Sequence, residues 1–509
     1  MKRKGFIRIK DGAFYDILTK LVADEFGMPY IYAKNVVHES LEKFVSRLRD
    51  DIAIYVETEY VDKVYRDSYY GYYSSKALKY SRNCIRLSLF DNSSNEFCSG
   101  IIAYGQGEKI RKAYQGFIVL RPTMPKLIGR SAISRSAFKD NQFVNCAVSI
   151  ASSVDGHKVN VEAFPSSSQD TESITCAETS LWALMEYYGN KYPEYTPIKP
   201  SHVIEALRNK IDDRQLPSNG LSAECLTYAI KSFGFGPCIY HKDAFPDLHN
   251  ILGCYVESGI PVVVALSNQE AFDNKKVSKY VGHAVICIGH EIVSPSMIDN
   301  AEAVNIESYA TQYGNISLLD YDNIEKRFVF IDDNFPPYQL DKLARPTGRY
   351  GDAQDWKACR IESIIVPLYD KIYMESYLAK EYLKSFIATP YFSYIQGRKI
   401  AIRIYLSSTR SYRAYVNDSS MSIEMKTVIS NLFMPKFVWV AEVSDIGGLK
   451  NGTVNELILL DATSRKVSYY DPLLVAFANQ TCYIKDTKTN ALYHFSVKMN
   501  KFHPYSNIR

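Results

Sequence analysis

Gln169-Asp170-Thr171-Glu172-Ser173-Ile174-Thr175-Cys176-Ala177-Glu178-Thr179-Ser180-Leu181-Trp182 sets a thiol where a polar loop turns into a helix. Thr175 and Glu178 have the spacing of a capping box, so Thr175 is the N-cap and Cys176 the first helical residue. Leu181, Trp182, Leu184, Met185 and Tyr188 then recur with helical period, and Gly189-Asn190 predicts the stop. The thiolate, not the thiol, is the nucleophile. The unsatisfied N–H groups and the dipole at a helix N-terminus favour that anion. A free cysteine is usually a small buried hydrophobe. Here the cap, together with a histidine and a carboxylate far downstream, points to chemistry instead.

A thiol needs a base, and the base needs an orienting acceptor. Gly282-His283-Ala284-Val285-Ile286-Cys287-Ile288-Gly289 reads as an apolar strand with a histidine at its start. Phe328-Val329-Phe330-Ile331 reads as another, ending in Asp332-Asp333-Asn334. Gly259-Ile260-Pro261 leads into a third, Val262 to Leu266. His283 is the candidate base. Asp332, which directly follows its strand, is the first choice as orienter, with Asp333 the close runner-up and Asn334 a third candidate. Gln169 lies seven residues before the thiol, and its amide, beside the Cys176 backbone N–H, is the candidate oxyanion donor.

The order Cys, His, Asp/Asn, with a Gln upstream of the Cys, resembles the papain-like cysteine peptidase superfamily. The nearest resemblance is to its compact bacterial branch that processes double-glycine leader peptides. The likeness rests on Gln169, Cys176-Ala177, Gly259-Ile260-Pro261-Val262, Gly282-His283-Ala284-Val285 and Ile331-Asp332, and covers roughly residues 166–367. It implies that a helix carrying Cys176 packs on an antiparallel sheet carrying His283 and Asp332, with Gln169 shaping the oxyanion hole. Gln169 stands one residue further from the cysteine than is usual in that superfamily, and Asp170 holds the usual position. The loop must therefore bulge by one residue to bring the amide round, supported by Ser173 and Thr175.

The implied function is a cysteine hydrolase that cleaves a peptide or isopeptide bond through an acyl-enzyme. The same constellation also serves a transglutaminase- or deamidase-like acyl transferase, in which the acceptor differs. A third reading is a catalytically inactive papain-like module that binds protein; intact Cys176, His283 and Asp332 weigh against it.

The chain has 509 residues, enough for two to four domains. Sixty basic and 56 acidic residues leave a net charge of +4, which argues against a dedicated nucleic-acid surface. No apolar run approaches the length of a spanning helix, and Met1-Lys2-Arg3-Lys4 leads into no apolar signal core. The ten cysteines form no CxxC pair, so no metal site, cofactor or disulfide framework is expected, and a reducing cytoplasm is the expected compartment. The expected partner is a protein or peptide substrate, with no nucleic acid and no membrane; the oligomeric state stays open.

The overall expectation is an α+β chain with a papain-like central domain, 166–367, flanked by two α/β-type domains, 1–165 and 368–509. Ala163 to Ser168 is the expected linker. Strands are predicted in the first segment near 52–59, 83–90, 100–104 and 116–120. In the last they fall near 400–405, 437–443, 456–460 and 467–470. Helices are predicted near 11–26, 35–50, 372–386 and 422–432. The tyrosines from Tyr65 to Tyr80 read as packing with polar tips at a rim rather than as a recognition surface. Asp299 to Asp322 reads as a surface excursion between the His and Asp strands.

Overall fold

A computed structural model of the chain describes residues 5–9, 12–91, 107–124, 126–211, 215–307, 315–395, 397–464, 472–486, 489 and 491–508. The strands expected near 100–104 and 467–470 lie outside those residues. The fold is mixed α+β with several antiparallel sheets. The described chain groups into two compact units, where the sequence suggests three consecutive domains. The first comprises the described residues of Met1–Gly234, Val263–Ile288 and Phe328–Ile365. The second comprises Phe235–Val262, Gly289–Arg327 and Val366–Arg509.

In the first unit, six strands follow one another across a sheet in the order Gly5–Arg8, Ile52–Tyr60, Cys84–Asp91, Tyr114–Leu120, Ile128–Ile133 and Pro165–Ser166. All neighbours are antiparallel. Ala163 to Ser168 is thus no linker: Ser166 pairs with Ser131, and Ala163 and Phe164 are fully buried. Its three serines look like a spacer in composition, but its backbone finishes a sheet. A second set of strands lies in the order Arg360–Tyr369, Val262–Ser267, Gly282–Glu291, Arg327–Ile331 and Gln339–Lys342, with Phe143–Asn145 paired to the Gly282 strand.

The helix Cys176–Lys191 is buried from Ala177 to Tyr188 on all sides. It packs against the Val148–Val154 strand and against the helices Pro200–Leu207 and Ala223–Ser232. Its buried acid, Glu186, is met by Arg130 at 2.8 Å and Lys63 at 3.3 Å, which offsets the cost of burying the charge. The helix runs two residues past the expected stop. Gly189 is required by packing instead: a Cβ there would stand 2.4 Å from the Pro197 nitrogen. In the tyrosine-rich stretch, Tyr65 and Tyr73 are buried.

The second unit is built on an eight-stranded sheet in the order Val304–Ile306, Ile316–Asp320, Lys399–Ser408, Phe437–Asp445, Glu456–Asp461, Leu473–Ala478, Thr481–Lys485 and Leu492–Ser496. Ile316–Asp320 runs parallel to Lys399–Ser408, and the other neighbours are antiparallel. The expected α/β character of the last segment is therefore corrected to α+β. Short returns cause this: Asn479 and Gln480 take φ of 48° and 59°, the twist of a tight hairpin turn. The described ends of the Asp299 to Asp322 stretch form the first two strands of this sheet, so it is more than a surface excursion.

Tyr405, Tyr412, Val440, Leu457 and Phe477 belong to the core of this second sheet. Charges are buried here too. Glu257 takes Arg403 at 2.6 Å and the His290 ring, while Arg403 also reaches Glu442 at 3.0 Å. Lys380 meets Asp320 at 2.9 Å and Asp322 at 2.6 Å. Among the described residues, no helix is long and apolar enough to cross a membrane.

Candidate active site

Cys176 opens its helix as the capping box requires. Thr175 is extended (φ −106°, ψ −169°), and the Glu178 carboxylate accepts the Thr175 N–H at 3.2 Å and the Thr175 hydroxyl. The thiol is half-buried, at the end where the first helical N–H groups have no intrahelical acceptor. One turn on, Ser180 Oγ donates to the Ala284 carbonyl at 3.3 Å, which ties this helix to the strand that carries His283.

The loop before the thiol bulges. Thr171 takes φ 65°, a left-handed conformation that a β-branched residue adopts only under constraint. The constraint is Asp170. Its Oδ1 accepts the N–H groups of Glu172 (3.0 Å), Ser173 (2.7 Å) and Ile174 (2.9 Å), and its Oδ2 takes the Ser173 hydroxyl. The Asp170 carboxylate is spent on hydrogen bonds inside the loop. Gln169 Nε2 donates to Asn334 Oδ1 at 3.3 Å, beside the Asp332 turn. Arg121 holds the loop's entry through the Ser168 carbonyl at 2.6 Å.

His283 is 7% exposed, and its Nε2–H donates to Asp332 Oδ1 at 3.0 Å. The Cys176 thiol lies near enough to the ring to favour its protonated form. With Nε2 committed to Asp332, Nδ1 is the nitrogen left for the thiol. Burial works against the imidazolium, but the Asp332 carboxylate, the Cys176 contact and the Asp333 charge outweigh it and hold the His283 pKa well above its ordinary value.

Asp332 is almost fully enclosed. Arg349 Nε donates to its Oδ2 at 2.7 Å, the Tyr350 hydroxyl at 3.0 Å, and the Asn334 N–H reaches Oδ1 at 3.0 Å. Burial alone would raise its pKa; the His283 and Arg349 charges reverse that and hold it well below the carboxylate range. Asp333 differs. Its Oδ1 stands 3.6 Å from His283 Nε2, and neither carboxyl oxygen has a hydrogen-bond partner. Burial pushes its pKa up to about 7; the Asp332 charge adds to this, against His283 and Lys126.

The three expected residues Cys176, His283 and Asp332 therefore come together, with Gln169 joined to them through Asn334. Four contributors have no local signature in the sequence. Arg349 anchors Asp332 and is itself held by Asp341 at 2.5 Å. Tyr350 stacks on Trp356 with ring centroids 3.7 Å apart, and Trp356 meets the His283 ring edge-on at 5.4 Å. This aromatic pair screens the His–Asp contact from water. Lys126 Nζ donates to Asn334 Oδ1 at 3.2 Å. The only hint of Arg349, Tyr350 and Trp356 is the turn-rich run from Pro346 to Trp356, where an arginine and two aromatics sit in what otherwise reads as a loop. Beside the Cys176 helix, Ile174, Val203, Leu207 and Leu221 line an apolar cavity with Glu178.

No protein-family model matches the chain, and no curated protein sequence matches it either.

Proposed function

We propose that the chain is a papain-like cysteine hydrolase acting on a peptide or isopeptide bond. The observation that carries the reading is the buried His283 Nε2–Asp332 contact at 3.0 Å, with the Cys176 thiol at a capped helix N-terminus close enough to the ring to favour its protonation. In the proposed mechanism each of those groups has one task. The His283 ring takes the thiol proton while Sγ attacks the substrate carbonyl carbon. The oxygen that becomes negative is met by the Cys176 backbone N–H and by the second hydrogen of the Gln169 amide. The imidazolium then gives its proton to the leaving nitrogen, the C–N bond breaks and a thioester remains. Water, deprotonated by the same ring, releases the acid and restores the thiol. Asp332, locked by Arg349 and Tyr350, fixes the ring orientation and stabilises its positive charge throughout. The described cysteines are all free, which fits a reducing compartment.

A peptide-library cleavage screen on the full chain, against a Cys176→Ala control, tests the proposal. Cleavage that depends on Cys176, together with labelling of Cys176 by a thiol-directed activity probe, is the expected result. Failure of the probe to label a folded chain would remove the reading.

A further inference from the structure

Asp333 has no role in that chemistry, yet its carboxyl is 4% exposed, lacks any hydrogen-bond partner, and points an oxygen at His283. A buried carboxyl is normally satisfied by neighbours. What would satisfy this one is set by the atoms around it. His283 Nε2, an oxygen of Asp332 and an oxygen of Asp333 lie within 4.8 Å of one another. The separations from Nε2 are 3.0 Å to Asp332 Oδ1, 3.6 Å to Asp333 Oδ1 and 3.3 Å to the Tyr350 hydroxyl, and that hydroxyl is 3.2 Å from Asp332 Oδ1. Ligands about 2.0 Å from a tetrahedral Zn²⁺ stand about 3.3 Å apart. Those four separations, 3.0–3.6 Å, bracket that spacing.

We propose that His283 Nε2, Asp332 Oδ1 and Asp333 Oδ1 form a Zn²⁺-binding site on the side of the imidazole opposite Cys176, with the Tyr350 oxygen closing the fourth corner. One imidazole and two carboxylates suit Zn²⁺ rather than Mg²⁺ or Ca²⁺, which favour all-oxygen shells. The two acids balance the ion's charge. Arg349 stays on Asp332 Oδ2 and leaves Oδ1 to the metal.

The regulatory consequence rests on the cysteine-hydrolase reading, whereas the binding does not. A metal uses the Nε2 lone pair, so the ring's one remaining proton sits on Nδ1, facing the thiol. A ring in that form cannot take the Cys176 proton, so Zn²⁺ switches the site off from behind the base.

The test is calorimetric titration of ZnCl₂ into the tag-free full chain carrying Cys176→Ala, so that no thiol contributes at the site. One Zn²⁺ per chain is expected. Asp333→Asn on the same background should weaken binding by at least about tenfold. Co²⁺ in place of Zn²⁺ should show the intense visible absorption of a four-coordinate ion. No binding to the Cys176→Ala chain overturns the proposal, because the ion then needs the thiol. So does unchanged affinity in a folded Asp333→Asn or Asp333→Ala chain. Activity-probe labelling of Cys176 in metal-free protein is read separately, so the site and the hydrolase reading can fail independently.

Discussion

His283 and His290 lie on one strand, and each is buried against a carboxylate, yet they do opposite things with it. His290 ends on oxygen at both ring nitrogens: Nδ1 donates to the Glu291 carbonyl at 2.7 Å, and Nε2 meets Glu257. Glu257 is shared with Arg403, and Arg403 with Glu442, so charge is closed on charge. Such a cluster holds a core in register and offers nothing to a substrate. His283 gives one nitrogen to a carboxylate, a thiol lies near its ring, and the neighbouring carboxyl has no hydrogen-bond partner. A buried ion pair by itself is therefore a poor sign of a site. What marks one here is an incompletely satisfied set of groups around a soft nucleophile.

Six substitutions would break or sharpen that contrast. The largest effect is expected from Cys176→Ala, which should lower kcat on cleaved peptides by about ten-thousandfold or more while leaving the unfolding curve nearly unchanged. Arg403→Met should do the reverse. It leaves Glu257 and Glu442 buried without their cation and should cost about 3–5 kcal/mol in urea unfolding, with Cys176 labelling retained in folded chains. If Arg403→Met instead suppresses labelling at unchanged stability, the separation of the two clusters by role is wrong.

Asp332→Ala should lower kcat by about a thousandfold, and Asp333→Ala by clearly less, because Asp332 holds the ring and its Arg349 and Tyr350 supports. Steady-state kinetics of both variants decide it, and equal losses would make the pair one functional unit. Gln169→Ala should lower kcat by about a hundredfold with KM little changed, as expected for a donor used only when the oxyanion forms. A kcat within about threefold of wild type would move the oxyanion donors elsewhere.

The smallest effect concerns Glu456, the second unit's nearest counterpart to Asp333. Burial pushes its carboxyl up to about 7, and its Oε2 has no hydrogen-bond partner. The folded chain thus binds a proton that the unfolded chain releases. Stability on this account is full below the ordinary glutamate range and falls as the pH rises through about 7. Glu456→Gln should therefore raise Tm more at pH 8 than at pH 5. A larger gain at pH 5 would refute the assigned shift.

The parts of the site legible in the sequence are those written locally. Thr175 and Glu178 announce the helix start at a fixed spacing, and the apolar runs behind His283 and ahead of Asp332 announce strands by composition. The left-handed turn at Thr171, held by the Asp170 carboxylate, has no such local sign. Nor have Arg349, Tyr350, Trp356 and Lys126. Arg349, Tyr350 and Trp356 sit in helical turns too short to show a period and Lys126 in a loop, and only the closed fold brings them to His283, Asp332 and Asn334. The same limit explains why the division of the chain differs from the expected one. Ser166-Ser167-Ser168 has spacer composition but sheet pairing at Ser166, and polarity does not reveal whether a backbone N–H faces water or a neighbouring strand. The second unit's sheet draws strands from both sides of the 328–365 stretch, which no local period encodes.

Cys176, His283 and Asp332 each belong to a different one of the three stretches that make the first unit. A chain leaving the ribosome from its N-terminus exposes the thiol first, the imidazole much later and the carboxylate last. On the proposed function, until Asp332 and its Arg349 support have emerged the thiol lacks a held base, and the newborn polypeptide carries a muted thiol instead of a working one. The same splicing means that a nick within 235–262 or 289–327 cuts between the stretches that carry Cys176, His283 and Asp332 without touching any of them. The pieces would then stay together only by packing, so limited proteolysis there is a direct assay of how well the folded site holds without its covalent thread.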